Sequence, residues 1–198
     1  MSLNHDKWDN IRLKYLASIN DEALPEDTDP TLEINYIDIG NVDSSGKIDI
    51  IAKYLFADTP SRARRIIRKG DVIISTVRTY LQAIASIDIE TENLIASTGF
   101  AVIRPKERKF YQEFCKYALR ESFFLGEVQK RSVGVSYPAI NASDLGDISL
   151  KVPSYSSQIK ISKYLNKEIA EINTLIATKQ CLLNILADKR QILKKNLS

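Results

Sequence analysis

Histidine is nearly missing from this chain, and so are the glycine clusters that mark nucleotide-binding loops. The one histidine, His5, lies close to the first residue, so histidine-based acid–base or triad catalysis is not expected. The seven glycines stand apart from one another, and no dinucleotide-binding, P-loop, metalloprotease or nucleophile-elbow motif occurs. We therefore expect a protein that is not an enzyme and that needs no cofactor.

Cysteine and long apolar runs are also scarce. Cys115 and Cys181 are the only cysteines and lie in different segments, so their spacing predicts neither a disulfide framework nor a zinc site. The acidic residues around Gly46 do not follow the spacing of a calcium-binding loop, and no metal site is expected. No run of about 20 apolar residues is available to cross a bilayer. Because residues 1–7 also lack the layout of a secretory signal, we expect a cytoplasmic protein with no membrane partner.

Charge is abundant but almost balanced: 28 lysines and arginines face 25 acidic residues, a net charge of +3. That excess is too small to identify a nucleic-acid partner, so the distribution of charge matters more. The most basic stretch is 62–69, where five of the eight residues are cationic. It precedes an apolar segment, 72–75, which predicts a strand, and a polar tip containing Arg78 follows that strand.

This arrangement favours DNA binding. The planar guanidinium of arginine fits both phosphate and the major-groove edge of guanine, and hydroxyl groups add phosphate contacts. The predicted DNA contacts are Arg62, Arg64, Arg65, Lys69, Arg78, Thr79, Tyr80, Thr98, Arg131, Ser132 and Ser136. Simpler interpretations stay open: 62–69 could be a solvated helix face, 97–99 a plain turn and 131–137 a connector.

The apolar pattern predicts an α+β fold with many strands. Alternation with period two over 7–16 predicts an opening strand, and further strands are predicted at 32–39, 72–75, 81–87, 100–104 and 147–152. The spacing of apolar residues predicts a helix over 110–125 that ends at Gly126. We expect two domains: a globular, DNA-binding domain over 1–155 and a long helix over 156–198.

The last forty residues carry a heptad pattern. No proline or glycine follows Pro153, so an uninterrupted helix of about 60 Å is expected. Its apolar seam comprises Leu165, Ile169, Ile172, Ile176, Leu183, Leu186, Leu193 and Leu197. Two seam positions are charged, Lys179 and Arg190, which costs stability but can fix register or partner choice. This pattern predicts dimerisation; the alternative is a helix folded back on its own domain.

Several short motifs, taken in order, resemble the specificity subunit of type I restriction–modification enzymes. They extend over nearly the whole chain. They are Trp8-x-x-x-x-Leu13, Tyr36–Val42, Arg65–Ser75, Val77–Leu81, Ser97–Phe100, Gly134–Ile140, Ile148-x-Leu150-x-Val152-Pro153 and the Gln158-Ile159…Leu165 opening of the long helix.

The resemblance implies a non-catalytic target-recognition domain followed by a spacer helix. Family members carry two such domains and two helices that pack antiparallel, so that a bipartite DNA sequence is read. Modification (methyltransferase) subunits dock on this frame, and a restriction subunit cleaves. A chain with one domain and one helix then implies a half-subunit that pairs with a second copy, or a fragment of a longer protein. Two other functions stay open: a free-standing dimeric DNA-binding regulator and a coiled-coil adaptor without DNA preference.

Overall fold

The structure, a computed structural model, describes the backbone of residues 8–195 and the side chains of residues 8–193. The strands are β1 (Asp9–Arg12), β2 (Ala17–Ile19), β3 (Glu33–Ile37), β4 (Ala52–Leu55), β5 (Ala63–Ile66), β6 (Val72–Ser75), β7 (Ile84–Ser86), β8 (Leu94–Ser97), β9 (Phe100–Pro105) and β10 (Ser149–Val152). The α-helices are α1 (Leu13–Leu16), α2 (Gln112–Ala118), α3 (Ser122–Arg131), α4 (Ala142–Gly146) and α5 (Tyr155–Lys195). This element content confirms the predicted α+β fold.

Two four-stranded sheets form the strand-rich part. One is antiparallel, in the order β2-β9-β6-β7, and the other runs β4-β3-β8-β5 with β3 and β8 parallel. Apolar side chains from both sheets pack in one core, among them Ile37, Ile73, Leu94 and Val102. All four residues of β6 are buried, which explains its continuous apolar run. The polar segment after β6 carries the exposed residues Arg78 and Tyr80.

The opening segment is short and irregular. β1 pairs with β10 in a two-stranded sheet, and the chain then turns through α1 into β2. This confirms the predicted opening strand that runs into a turn or helix. The ring of Trp8 lies 6.3 Å from that of Phe114 in an edge-on contact.

The predicted single helix over 110–125 is wrong. The structure has two helices, α2 and α3, separated at Leu119–Glu121, and Gly126 lies inside α3. The Glu121 carboxylate accepts hydrogen bonds from the backbone amides of Phe123 (3.0 Å) and Phe124 (3.2 Å). Since the first amides of a helix have no partner within it, this carboxylate starts a new helix although the apolar spacing continues.

The last helix is 41 residues long, about 60 Å at 1.5 Å per residue. Its first turn is capped by Ser154, whose hydroxyl accepts a hydrogen bond from the amide of Ser157 at 3.4 Å. Ser154 thus supplies the side-chain cap at the start of this helix. The chain divides into two compact units, Met1–Ile159 and Lys160–Ser198.

From Ile169 onward, the large apolar side chains of α5 are exposed to solvent in the single chain. Those exposed over at least two-fifths of their surface are Ile169, Ile172, Leu175, Ile176, Leu182, Leu183, Ile185, Leu186, Ile192 and Leu193. Leu165 is half-buried, and Leu197 of the predicted seam lies outside the described residues. No helix in the described part is long and apolar enough to span a membrane.

Candidate nucleic-acid interface

Two loops near the end of β6 are joined by backbone hydrogen bonds. The first, 76–82, joins β6 to β7, and the second, 132–140, follows α3. Val77 forms an antiparallel bridge with Ala139, and Ala139 exchanges backbone hydrogen bonds of 2.8 and 2.9 Å with Val133. These three short backbone segments therefore form one small ladder. We call 76–82 and 132–140 the paired loops.

Arg78 lies on the outer side of the paired loops. Its backbone is left-handed (φ 51°), as is that of Gln82, and the 3-10 turn Thr79–Leu81 lies between them. The guanidinium carbon lies 5.1 Å from the ring centre of Tyr137. Within residues 8–193 no carboxylate pairs with Arg78. The structure thus holds an exposed positive charge in a defined place and leaves it unneutralised by this part of the chain.

Thr79 and Ser132 lie beneath this arginine. The Thr79 side chain is buried, and its hydroxyl lies 2.9 Å from that of Ser132. Ser132 in turn donates to the carbonyl of Val128 at 2.7 Å. The two hydroxyls therefore hold the first loop against the end of α3; their predicted role as DNA contacts stays a prediction.

The basic stretch over 62–69 is not a helix face. It contains β5, and its cations point to different surroundings because successive side chains of a strand face opposite ways. The guanidinium of Arg64 stacks over Phe56 at 4.8 Å. Arg65 is half-buried with no hydrogen-bond partner for its Nε, and burial lowers the pKa of its guanidinium.

The far end of the basic stretch is paired with acids. Arg68 forms an exposed ion pair with Glu22, and Lys69 lies 3.5 Å from Glu90. Both contacts reduce the positive charge that these residues present to a partner. The basic stretch is therefore not one positive surface.

Arg62 is connected to the paired loops by backbone hydrogen bonds. Its carbonyl accepts the amide of Thr98 at 2.8 Å, and the carbonyl of Gly99 accepts the amide of Thr76 at 2.8 Å. A Cβ atom on Gly99 would lie 2.1 Å from Cδ1 of Ile39, so a larger residue at this crossing would require the Ile39 side chain to move. Two predicted contacts, at positions 62 and 98, thus lie on a hydrogen-bonded path to the paired loops.

Arg131 and Ser136 differ in how far they are exposed. Arg131 is half-buried, 3.5 Å from Glu127 and 3.3 Å from the carbonyl of Asp144. Ser136 is exposed at the tip of the second loop, and Tyr80 is exposed on the first. Arg78, Tyr80 and Ser136 are therefore exposed on the paired loops, whereas Arg64 and Arg65 are half-buried and Lys69 is paired with Glu90.

The predicted DNA contacts left out Val133, Val135 and Tyr137. All three are exposed on the second paired loop, and Tyr137 is the ring on which Arg78 lies. An aromatic residue between a glycine and a proline in an exposed loop was the available signal, since a connector has no need of an exposed ring. The described residues contain no group of three or more histidine, cysteine or acidic side chains that could hold a metal ion.

Comparison with known proteins decides the family. The family model described as "Type I restriction modification DNA specificity domain" matches residues 5–184. The chain belongs to this family. The matched region includes both paired loops and more than half of α5, and the resemblance seen in the sequence is confirmed.

Relatives of this specificity domain include the HindI specificity subunit of Haemophilus influenzae, described as belonging to a type I restriction enzyme. It is 28% identical over 123 residues, which cover 60% of this chain and 27% of that subunit. The crystal structure of the HsdS subunit from Thermoanaerobacter tengcongensis is similar at 31% identity and a TM-score of 0.74, over 90% of this chain and 47% of that one.

A second solved chain is equally similar in fold. It comes from a study titled as describing complex assembly and conformational transition of the type I R-M system. It is 32% identical with a TM-score of 0.74, over 87% of this chain and 45% of that one. This chain therefore spans just under half the length of these solved chains and about a quarter of the curated relative.

Proposed function

We propose that this specificity domain is the non-catalytic, sequence-reading subunit of a type I restriction–modification system. The observation that supports this most is Arg78: an exposed guanidinium, free of acidic partners in the described part and stacked on Tyr137, at the outer surface of the paired loops. Ordering a long, flexible side chain costs conformational entropy on binding. Because the ring of Tyr137 already restricts the guanidinium, less conformational entropy is lost when Arg78 binds a base, which suits a base-reading role.

The contacts divide into two kinds. Arg78 is assigned to the major-groove edge of a guanine, where two parallel hydrogen bonds distinguish the base. Arg62, Thr98 and Ser136 are assigned to phosphates, which set the orientation without reading sequence. Arg62 lies 3.9 Å from the carboxylate of Asp38, so a phosphate there would compete with that ion pair. Arg64 is also assigned to phosphate, because its half-buried guanidinium, stacked over Phe56, has no acidic partner in residues 8–193.

The α5 helix supplies the second half of the proposal. Its exposed apolar face is too extensive to remain in water, and a second copy of the same helix offers a matching seam. Two chains with antiparallel helices would be related by twofold symmetry and would read a bipartite, palindromic target. A methyltransferase and a restriction subunit are the proposed protein partners.

A binding experiment with two arginine variants tests the proposal. Duplexes with a randomised core are presented to the chain, alone and with a type I modification subunit, and the bound sequences are read. Arg78→Ala should relax the preference at one position, since a bidentate contact discriminates by about 1–3 kcal/mol. Arg64→Ala should weaken all duplexes alike and lower the salt dependence by about one phosphate contact.

Lys47→Ala serves as the control, because it removes the same charge from an exposed ion pair with Asp49 outside the paired loops. If neither arginine variant changes DNA binding by the assembled complex, the site assignment is wrong. Tight, specific binding by the chain without any partner would favour a dimeric regulator instead. Dimerisation without DNA preference in any assembly would favour a coiled-coil adaptor.

A further inference from the structure

The tip of the second paired loop, 133–137, is exposed and largely apolar. Val133 is 80% exposed, Val135 is fully exposed and Tyr137 is 66% exposed. Single exposed apolar side chains are common in soluble proteins. Three within five residues form a patch, and exposed patches of this kind mark contact surfaces.

The tip has a defined shape. Its base is closed by the two backbone hydrogen bonds between Val133 and Ala139. Gly134 has a φ of +113°, and a Cβ atom there would lie 3.0 Å from the carbonyl oxygen of Tyr137. The turn is therefore tight. Since valine has a single, strongly restricted side-chain torsion, Val135 presents two methyl groups at little cost in entropy when they are covered.

The neighbouring charge indicates what covers the tip. The apolar tip and the guanidinium of Arg78 are joined through Tyr137, which belongs to the tip and lies 5.1 Å from the guanidinium carbon. A partner must therefore offer hydrogen-bond acceptors and an apolar group side by side. The major groove of DNA does so, because guanine presents two acceptor atoms and thymine presents its C5-methyl group.

We propose that Val135 reads the C5-methyl group of a thymine in the DNA target, close to the guanine assigned to Arg78. This inference rests on the proposed DNA-recognition function and adds a second, apolar reading element to it. Val135 contributes shape and apolar contact, and Arg78 contributes hydrogen bonds. The target half-site is then one in which a thymine cannot be replaced by uracil without loss of affinity.

The test uses uracil, which differs from thymine only in lacking the methyl group. Sequences bound by the full chain, alone and with a modification subunit, are selected from duplexes with a randomised core. The selected duplex is then made with each thymine singly replaced by uracil. At one position the wild-type affinity should fall about fourfold, the value expected for one buried methyl group.

Val135→Ala should bind the thymine and uracil duplexes equally at that position, within twofold. Ile50→Ala is the matched control, because Ile50 is also an exposed aliphatic residue but lies outside the paired loops; it should keep the wild-type difference. The inference is overturned if no position distinguishes uracil from thymine, or if Val135→Ala retains the difference. It is also overturned if Val135→Ala weakens only the binding of the modification subunit, since the tip would then be a protein contact.

Failure of the broader proposal gives a different result. If the wild-type chain enriches no sequence in any assembly, DNA recognition itself is contradicted and the thymine contact falls with it. If a sequence is enriched but uracil is tolerated everywhere, DNA recognition stands and only the role of Val135 is lost.

Discussion

Asp71 and Arg104 form a two-point ion pair at the start of β6. Arg104 Nε lies 2.9 Å from Asp71 Oδ1, and its Nη2 lies 2.8 Å from Oδ2. Asp71 is 2% exposed, and it also accepts the backbone amide of Arg68 at 2.8 Å. The hydrogen bonds that Arg104 donates to the Asp71 carboxylate raise the pKa of Arg104. One carboxylate thus fixes the turn that leads from the basic stretch into the strand that ends at the paired loops.

Asp71→Asn should lower the free energy of unfolding by about 3 kcal/mol. The substitution keeps the shape but leaves a partly buried guanidinium without its main countercharge, and breaking such a pair costs about 3–5 kcal/mol. The lower end is expected because Arg104 keeps Glu22 at 3.3 Å and Asp21 at 3.7 Å. Urea denaturation measures the loss. Lys69→Ala, which removes an exposed ion pair, should change the free energy of unfolding by less than about 0.5 kcal/mol. Equal losses for the two variants would contradict the structural role of Asp71.

Replacing Tyr137 tests how Arg78 is held. Tyr137→Ala removes the ring under the guanidinium and should reduce discrimination at the guanine position about twofold to fivefold, because an exposed cation–π contact is worth about 0.5–1 kcal/mol. Tyr137→Phe keeps the ring and should keep the discrimination. The preference for guanine over the other bases in the selected duplex is the measurement. If Tyr137→Phe loses as much as Tyr137→Ala, the hydroxyl is the functional group and the positioning role is wrong.

Local composition predicted β6 and β9, since an apolar run such as β6 has few alternatives to burial, but it missed β8, whose four residues are all buried. It could not predict the surroundings of the cations in the basic stretch. Arg68 and Lys69 are paired with Glu22 and Glu90, which are distant in the sequence, and only the folded sheets bring such partners together. The same holds for Arg78 and Tyr137, which lie on different loops. A sequence pattern predicts which side chains reach the surface, but not which of them are neutralised there.

The break between α2 and α3 was missed for a different reason: it has a local cause, the Glu121 carboxylate, and the apolar periodicity that continues across it concealed that cause. Glutamate is not among the residues preferred at a helix N-cap, and the apolar spacing of 110–125 continues through Glu121. The structure shows that this carboxylate accepts two amides nonetheless. Long apolar periodicity therefore gives the number of buried faces more reliably than it gives the number of helices.

Glu121 should make stability depend on pH. Burial raises the pKa of Glu121, but the hydrogen bonds from the amides of Phe123 and Phe124 outweigh it, and the pKa is lowered overall. A carboxyl whose pKa is lowered on folding stabilises the protein above its unfolded pKa of about 4.3. That contribution is lost as the pH falls through the lowered, folded value. Glu121→Ala should therefore cost about 1 kcal/mol at pH 7 and progressively less below about pH 4.

Glu121→Gln is the control for this pH effect. Its amide oxygen still accepts from the helix amides, but it carries no titrating proton. Urea denaturation at a series of pH values should show the difference between wild type and Glu121→Ala shrinking in acid. The difference between Glu121→Gln and Glu121→Ala should stay constant, and shrinkage of both would assign the pH dependence to another group.

The α5 seam carries the last prediction. Ile172→Asp with Ile176→Asp places two charges on the exposed apolar face of the helix. If a second copy covers that face, the charges would be buried without partners, which costs several kcal/mol each. The solution mass should fall from that of two chains to that of one, by light scattering over a range of concentrations. DNA recognition by the single chain should then lose its bipartite character.

Thr174→Asp provides the matched control. Thr174 lies on the same helix between the two isoleucines, but the helical repeat of 100° per residue places it away from the seam, and its hydroxyl bonds to the carbonyl of Ala170. It should leave the mass of two chains unchanged. A wild-type chain with the mass of one at high concentration would contradict the proposed dimer. A mass that falls equally for Thr174→Asp would mean that the whole circumference of the helix is covered, as in an assembly of four chains rather than two.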